Sequence, residues 1–120
     1  MMNVAIVGAS NKPNRYSNKA LKLLKEKGHA VFPIHPRLEE IEGIKVFKSL
    51  KDISDKIDTI TLYVAQNTSS MMADDIVDVF PKRIIFNPGA ENPDLFQKAQ
   101  EKGIDVINAC TLVLLSTQQF

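Results

Sequence analysis

The segment Asn3-Val-Ala-Ile-Val-Gly-Ala-Ser10 constrains the fold more than any other part of the chain. Val4 to Val7 is a continuous apolar run, which predicts a buried strand. Gly8 ends the run with a sharp turn, and a helical pattern follows from Tyr16. Strand, small-residue turn and helix in that order make the first half of a nucleotide-binding βαβ unit. Free N–H groups at such a helix start, with the helix dipole behind them, favour an anion and most often a phosphate. The same turn also serves any α/β protein that merely passes from strand to helix.

The residues beyond the turn narrow the ligand. A dinucleotide fingerprint needs Gly-x-Gly-x-x-Gly, and this chain offers Gly8 with Ser10 and Pro13 downstream. A phosphate loop ending in Gly-Lys-Ser/Thr is also missing. An NAD site wants a carboxylate about 20 residues on, at the end of the second strand. That strand is predicted over Ala30–Ile34, and His35-Pro36-Arg37 closes it; Glu39 and Glu40 come later, past a proline. Lys12 and Arg15 stand in the first loop, a cationic pair suited to a ligand with more phosphate than NAD. The site reads as nucleotide-binding, but not as an NAD site.

Other strands and helices alternate along the rest of the chain. A helix is predicted from Tyr16 to Lys27, with Ser17 as N-cap and Gly28 as its stop. Arg37 to Gly43 reads as a polar connection holding one helical turn, and Lys45-Val-Phe47 as a short strand. Ser49 caps a small helix toward Ile53, and Thr59 to Val64 is a β-branched strand. Thr68 to Phe80 reads as one helix with Met72, Ile76, Val79 and Phe80 on a stripe, and both Met71 and Met72 as core. Arg83–Phe86 is a strand; Asn92-Pro93-Asp94 starts a helix that stops at Gly103; Asp105–Asn108 is the last strand. The apolar run Leu112 to Leu115 after it must pack on the domain, meet a second subunit or cover a ligand. The pattern predicts an α/β fold: a doubly wound parallel sheet, three-layer α/β/α and Rossmann-like, in one domain over residues 1–120. Ligands in such sheets bind beyond the carboxyl ends of the strands.

Composition limits the partners. With 15 Lys and Arg against 14 Asp and Glu, the net charge of +1 gives no global field toward nucleic acid or an anionic membrane. A single cysteine, Cys110, forms no internal disulfide and no Cys-based zinc site, and it suits a reducing cytoplasmic compartment. No apolar stretch approaches the roughly 20 residues of a membrane span. The two histidines lack Cys or Asp partners at ligand spacing, so no metal site is expected.

Gly8-Ala-Ser10, Pro13 and Arg15-Tyr-Ser17 resemble the Gly-Ala-Ser…Pro…Arg…Ser signature of small CoA-binding domain proteins. Pro33-Ile-His-Pro36 resembles that family's second-strand end, with His35 where Asn is usual. Gly43-Ile-Lys-Val-Phe47, Ser49-Leu50, Asn87-Pro-Gly89 and Asn108-Ala-Cys-Thr111 fit its later segments. The family is similar to the CoA-binding domain of the succinyl-CoA synthetase α subunit. The resemblance implies a Rossmann-like sheet holding coenzyme A or an acyl-CoA, its ADP portion near the first loop and the second-strand end. Tyr63-Val64 matches the synthetase's Tyr-Val-Pro in part, Ala65 replacing the proline. The synthetase's phosphorylated histidine lies in a domain this sequence does not contain, so the ligase reaction does not carry over.

The candidate ligand-binding residues are therefore Gly8, Ser10, Lys12, Arg15, Tyr16, Ser17, His35, Pro36, Tyr63, Val64, Asn87 and Gly89. Several have a plainer alternative. Lys12 and Arg15 bind phosphate or are solvated; Ser17 binds phosphate or caps a helix. His35 is a general base or a polar turn residue, and no Ser, Cys or carboxylate is placed to complete a triad. His29 reads as a helix C-terminal cation. Tyr63 stacks on adenine, borders pantetheine or simply packs. Cys110 pairs with the CoA thiol or is a small buried hydrophobe. Asn87 to Gly89 supply N–H groups or turn the chain. No catalytic residue is assigned. Two other functions stay open: an NAD(P)-dependent or nucleotide-sugar enzyme, and a degenerate scaffold acting by protein–protein contact. The expected partner is a small-molecule nucleotide, with a homodimer as a further contact considered.

Overall fold

In a computed structural model covering residues 1–120, the apolar runs become the strands of one parallel sheet. In chain order the elements are β1 (Asn3–Val7), α1 (Tyr16–Glu26), β2 (Ala30–Ile34), β3 (Glu40–Ile41) and β4 (Ile44–Lys45). A 3-10 turn (Leu50–Asp52), β5 (Thr59–Leu62), α2 (Gln66–Met71) and α3 (Ala73–Val79) follow. The chain then forms β6 (Arg83–Phe86), α4 (Pro93–Glu101), β7 (Asp105–Asn108) and α5 (Thr111–Ser116).

The sheet runs β2-β1-β5-β6-β7, all parallel, with Val4 beside Val31 on one side and Thr59 on the other. Side chains alternate across it. Ala5, Val7, Ile60, Leu62, Ile84 and Phe86 face α3, α4 and the 3-10 turn, whose Ile76, Leu95, Ala99 and Leu50 close that core. Val4 and Ile6 face the other way, against Leu21 and Leu24 of α1 and Leu115 of α5. Leu21 and Leu24 are fully buried, which contributes about 1.5–3 kcal/mol each relative to exposure. This is the doubly wound, Rossmann-like three-layer fold. The order reverses between β1 and β5, and there a crevice opens at the carboxyl ends of the strands.

Local departures from the sequence reading have physical causes. Residues 40–45 make an antiparallel hairpin instead of a helical turn, because Glu42 and Gly43 both take positive φ (52° and 76°) as a two-residue hairpin turn requires. Only Phe47 of the expected Lys45–Phe47 strand reaches the sheet, by a parallel bridge to Ile34. The helix expected over 68–80 is two, broken at Met72, whose N–H is shared between the carbonyls of Thr68 and Ser69. The break turns Met71 outward, 87 % exposed, and leaves Phe80 exposed in a left-handed conformation beyond the helix. Ser17 is not the N-cap of α1: Arg15 holds that position without a side-chain cap, and Ser17 is buried in the first turn. His29 is no helix-end cation, since its Nδ1 accepts the Met2 N–H at 3.1 Å and its pKa is lowered, first by burial and then by nearby positive charges. Asn92 does cap α4, its side chain accepting the Leu95 N–H at 3.1 Å. The apolar tail forms α5 and packs on the domain through Leu115, 2 % exposed, while Val113 faces outward.

Candidate functional site

Gly8 lies where the exits of β1 and β5 nearly touch. A Cβ on it would stand 2.8 Å from Val64 Cγ1 and 3.1 Å from the Tyr63 carbonyl carbon, and its φ is +90°. Only glycine satisfies both the turn and the approach. The chain then loops outward before α1. Ser10 Oγ accepts the Lys12 N–H at 3.1 Å, and the Ser10 carbonyl accepts the Asn18 side-chain amide at 2.9 Å. Asn18 is fully buried under the loop, and its Oδ1 has no partner. With no side chain capping α1, the N–H groups of Tyr16 and Ser17 have no hydrogen-bond partner in the protein. They are the free donors that helix starts offer to anions.

The end of β2 approaches from the other side. His35 Nδ1 accepts the N–H groups of both Arg37 and Leu38 at 3.0 Å. An imidazole nitrogen that accepts is unprotonated, and the ring's pKa is lowered, first by burial and then by the Arg37 charge. His35 thus folds the turn that presents Arg37.

These pieces border a groove of about 560 Å3 at the β1–β5 crevice. Gly8, Ser10, Lys12, Arg15, Tyr16, Ser17, His35 and Tyr63 line it, joined by Asn11, Arg37, Leu38 and Pro88. Eight of the twelve residues singled out from sequence are thereby gathered in one place. The lining carries Lys12, Arg15 and Arg37 and no carboxylate, and none of the three cations is in an ion pair. Tyr16 stands at the rim, 68 % exposed, with Lys19 over its ring. Tyr63 forms part of the wall. Burial pushes its phenol up to about 12, and its buried hydroxyl lies near the Thr61 and Thr111 hydroxyls, which bond each other at 2.8 Å.

The other four residues lie outside the lining. Pro36 is exposed beside it. Val64 backs Gly8 and packs into the core. Asn87 is 2 % exposed and wholly engaged: its amide donates to Thr61 Oγ1 and the Leu62 carbonyl, and its oxygen accepts the Thr111 N–H. The Gly89 N–H donates to the Glu91 carboxylate. Cys110 is half-buried at the start of α5. Arg37 and Asn18 were not singled out by sequence, although both left a trace. Arg37 follows the strand-two end directly, and Asn18 is a polar residue on the apolar stripe of Leu21 and Leu24.

Chemically the groove is a polyanion site with one aromatic wall. Ser10 and His35 are occupied in holding turns. No group of three or more His, Cys, Asp or Glu is placed to hold a metal ion, and no helix is long and apolar enough to cross a membrane.

Comparison with known proteins bears on the ligand. A family model described as a CoA binding domain matches residues 2–116. The uncharacterized protein YneT of Bacillus subtilis is 28 % identical over 104 residues, which are 87 % of this chain and 77 % of that protein. The alpha subunit of an ADP-forming acetate–CoA ligase II from Pyrococcus furiosus is 39 % identical over 62 residues, 51 % of this chain but only 14 % of the subunit. A crystal structure of an uncharacterized protein superimposes with a TM-score of 0.94 at 36 % identity, covering 100 % of this chain and 98 % of the other.

Proposed function

The chain belongs to the CoA-binding domain family, and from that premise we propose that it binds coenzyme A or an acyl-CoA in the groove between β1 and β5. One observation carries this reading beyond the family: three unpaired cations and two free helix N–H groups converge there, with no carboxylate opposing them. Coenzyme A carries a pyrophosphate and a ribose phosphate. Lys12, Arg15 and the α1 start suit the first, and Arg37 at the strand-two end suits the second. The wall formed by Tyr63 offers an aromatic face to adenine or an edge to pantetheine. The residues present fit the ligand. The protein acts as a binder, and no bond-making step is assigned to it.

Where an NAD site places an acid, this chain places Arg37, which disfavours NAD. A ligand that binds only the folded state raises stability by RT ln(1 + [L]/Kd), about 2.7 kcal/mol at a hundredfold excess over Kd. Coenzyme A should therefore raise the melting temperature, and NAD should not. A shift with NAD equal to that with coenzyme A would return the site to the dinucleotide reading. No shift with either, and no nucleotide released from the purified protein, would favour the scaffold reading.

A further inference from the structure

The two edges of the sheet are treated differently. At the β2 edge, Pro33 has no N–H to offer, its carbonyl accepts the Phe47 N–H at 2.9 Å, and the His35 N–H goes to the Phe47 carbonyl at 3.0 Å. The carboxyl half of that edge is closed; farther back, Val31 alone points an N–H outward with no partner. At the β7 edge nothing is paired. Asp105 and Ala109 direct their N–H groups to β6, onto the carbonyls of Lys82 and Phe86. By the alternation of a strand, Val106 and Asn108 direct theirs outward, and no group in the protein meets them. Edge strands are ordinarily blunted by lysine, proline or a covering loop. β7 has none of these; it is four residues long and carries one charge, Asp105.

Beside the open edge lies apolar surface. Ile107, on the strand itself, is 41 % exposed. Ile107 and Leu114 share a groove of about 480 Å3 with Arg83 and Asp105, so one patch holds both signs of charge. The outward groups of Val106 and Asn108 flank Ile107 symmetrically, so a twofold axis through Ile107 matches this edge to its own copy, residue i of one meeting j of the other and j meeting i.

We propose that a second copy of this chain docks antiparallel on the β7 edge, joining two five-stranded sheets into one of ten. The outward N–H and carbonyl groups fix the register. Val106 pairs with Asn108 of the second copy and Asn108 with its Val106, giving four backbone hydrogen bonds. Ile107 then faces its own counterpart on the axis, as a close non-hydrogen-bonded pair on the α5 side. Asp105 faces Ala109, so no like charges oppose each other. This assembly is independent of what the β1–β5 groove binds.

The register makes a sharp test. Residues opposed in a non-hydrogen-bonded antiparallel pair have Cα atoms about 4.5 Å apart, within the roughly 4.4–6.8 Å that a disulfide spans. In a Cys110→Ser background, Ile107→Cys should oxidise to a covalent dimer, and Asp105→Cys should not. Without oxidation, sedimentation equilibrium at micromolar concentration should give twice the monomer mass. Ile107→Lys, which sets two cations against each other at an exposed position, should give the monomer with unchanged circular dichroism. A monomeric parent protein, no cross-link at Ile107→Cys, or equal cross-linking at both positions would overturn the proposal.

Discussion

The loops after β1 and β6 begin alike and end as opposites. Each turns on a glycine with φ near +90°, Gly8 and Gly89, and each leads to a helix with a proline close by. After β6, every polar side chain finds a partner within the fold. Asn87 braces Thr61, Leu62 and Thr111; Asn92 caps α4 while its amide donates to the Ser69 and Ser70 hydroxyls. After β1, the helix is uncapped, and Lys12 and Arg15 have no acid. The difference separates scaffold from site: the loop that satisfies itself holds the domain together, and the loop that does not is left to bind.

Breaking the self-satisfied loop should have the largest effect. Asn87→Ala removes three buried hydrogen bonds and leaves the Thr111 N–H without an acceptor. One buried unsatisfied group alone costs about 1–3 kcal/mol, so the loss of stability should reach about 3 kcal/mol. Thermal or urea unfolding checks it, and a change below about 1 kcal/mol would mean that water replaces the amide. The cations of the groove should respond in the opposite sense. Arg15→Ala and Arg37→Ala should each weaken coenzyme A binding by about 1.5–3 kcal/mol, the range for a charge-assisted hydrogen bond. Both side chains are exposed, so melting without ligand should scarcely move. Calorimetric titration giving wild-type affinity for both variants would remove the cations from the site.

The smallest effect is one of pH. His29 and His35 both have folded-state pKa values below 6.5, with burial the leading cause in each. The unfolded chain then takes up these protons first, so their contribution to stability is complete above about pH 6.5 and is lost as the pH falls toward the folded-state values. The melting temperature should drop modestly over that interval. A His29→Gln, His35→Gln double variant should flatten the profile, and a slope that survives in it would assign the effect elsewhere.

Much of this was legible in the sequence, for identifiable reasons. The strand at Val4–Val7, the turn at Gly8 and the cap at Asn92 rest on local chemistry that tertiary contacts do not override. Lys12, Arg15 and His35 could be placed near one another because parallel topology brings strand ends to one edge. The inward use of Asn87 could not be read, since its partners Thr61 and Thr111 are 26 and 24 residues away. The hairpin at 40–45 was legible in principle: Glu42-Gly43 is a turn pair, but two-residue strands carry too little pattern to announce themselves. The break at Met72, whose N–H is shared between the Thr68 and Ser69 carbonyls, leaves no mark in the periodicity of residues 68–80.

The ring of Asn87, Thr61 and Thr111 has one more consequence. Thr61 and Thr111 are 50 residues apart, and both are buried. Helix α5 can therefore be secured only after β5 and β6 have come together, although its own six residues are local. The dependence also runs backward. Lifting α5 would strip partners from polar groups at the middle of the sheet, so this end of the domain does not fray on its own. It opens with the centre or stays shut.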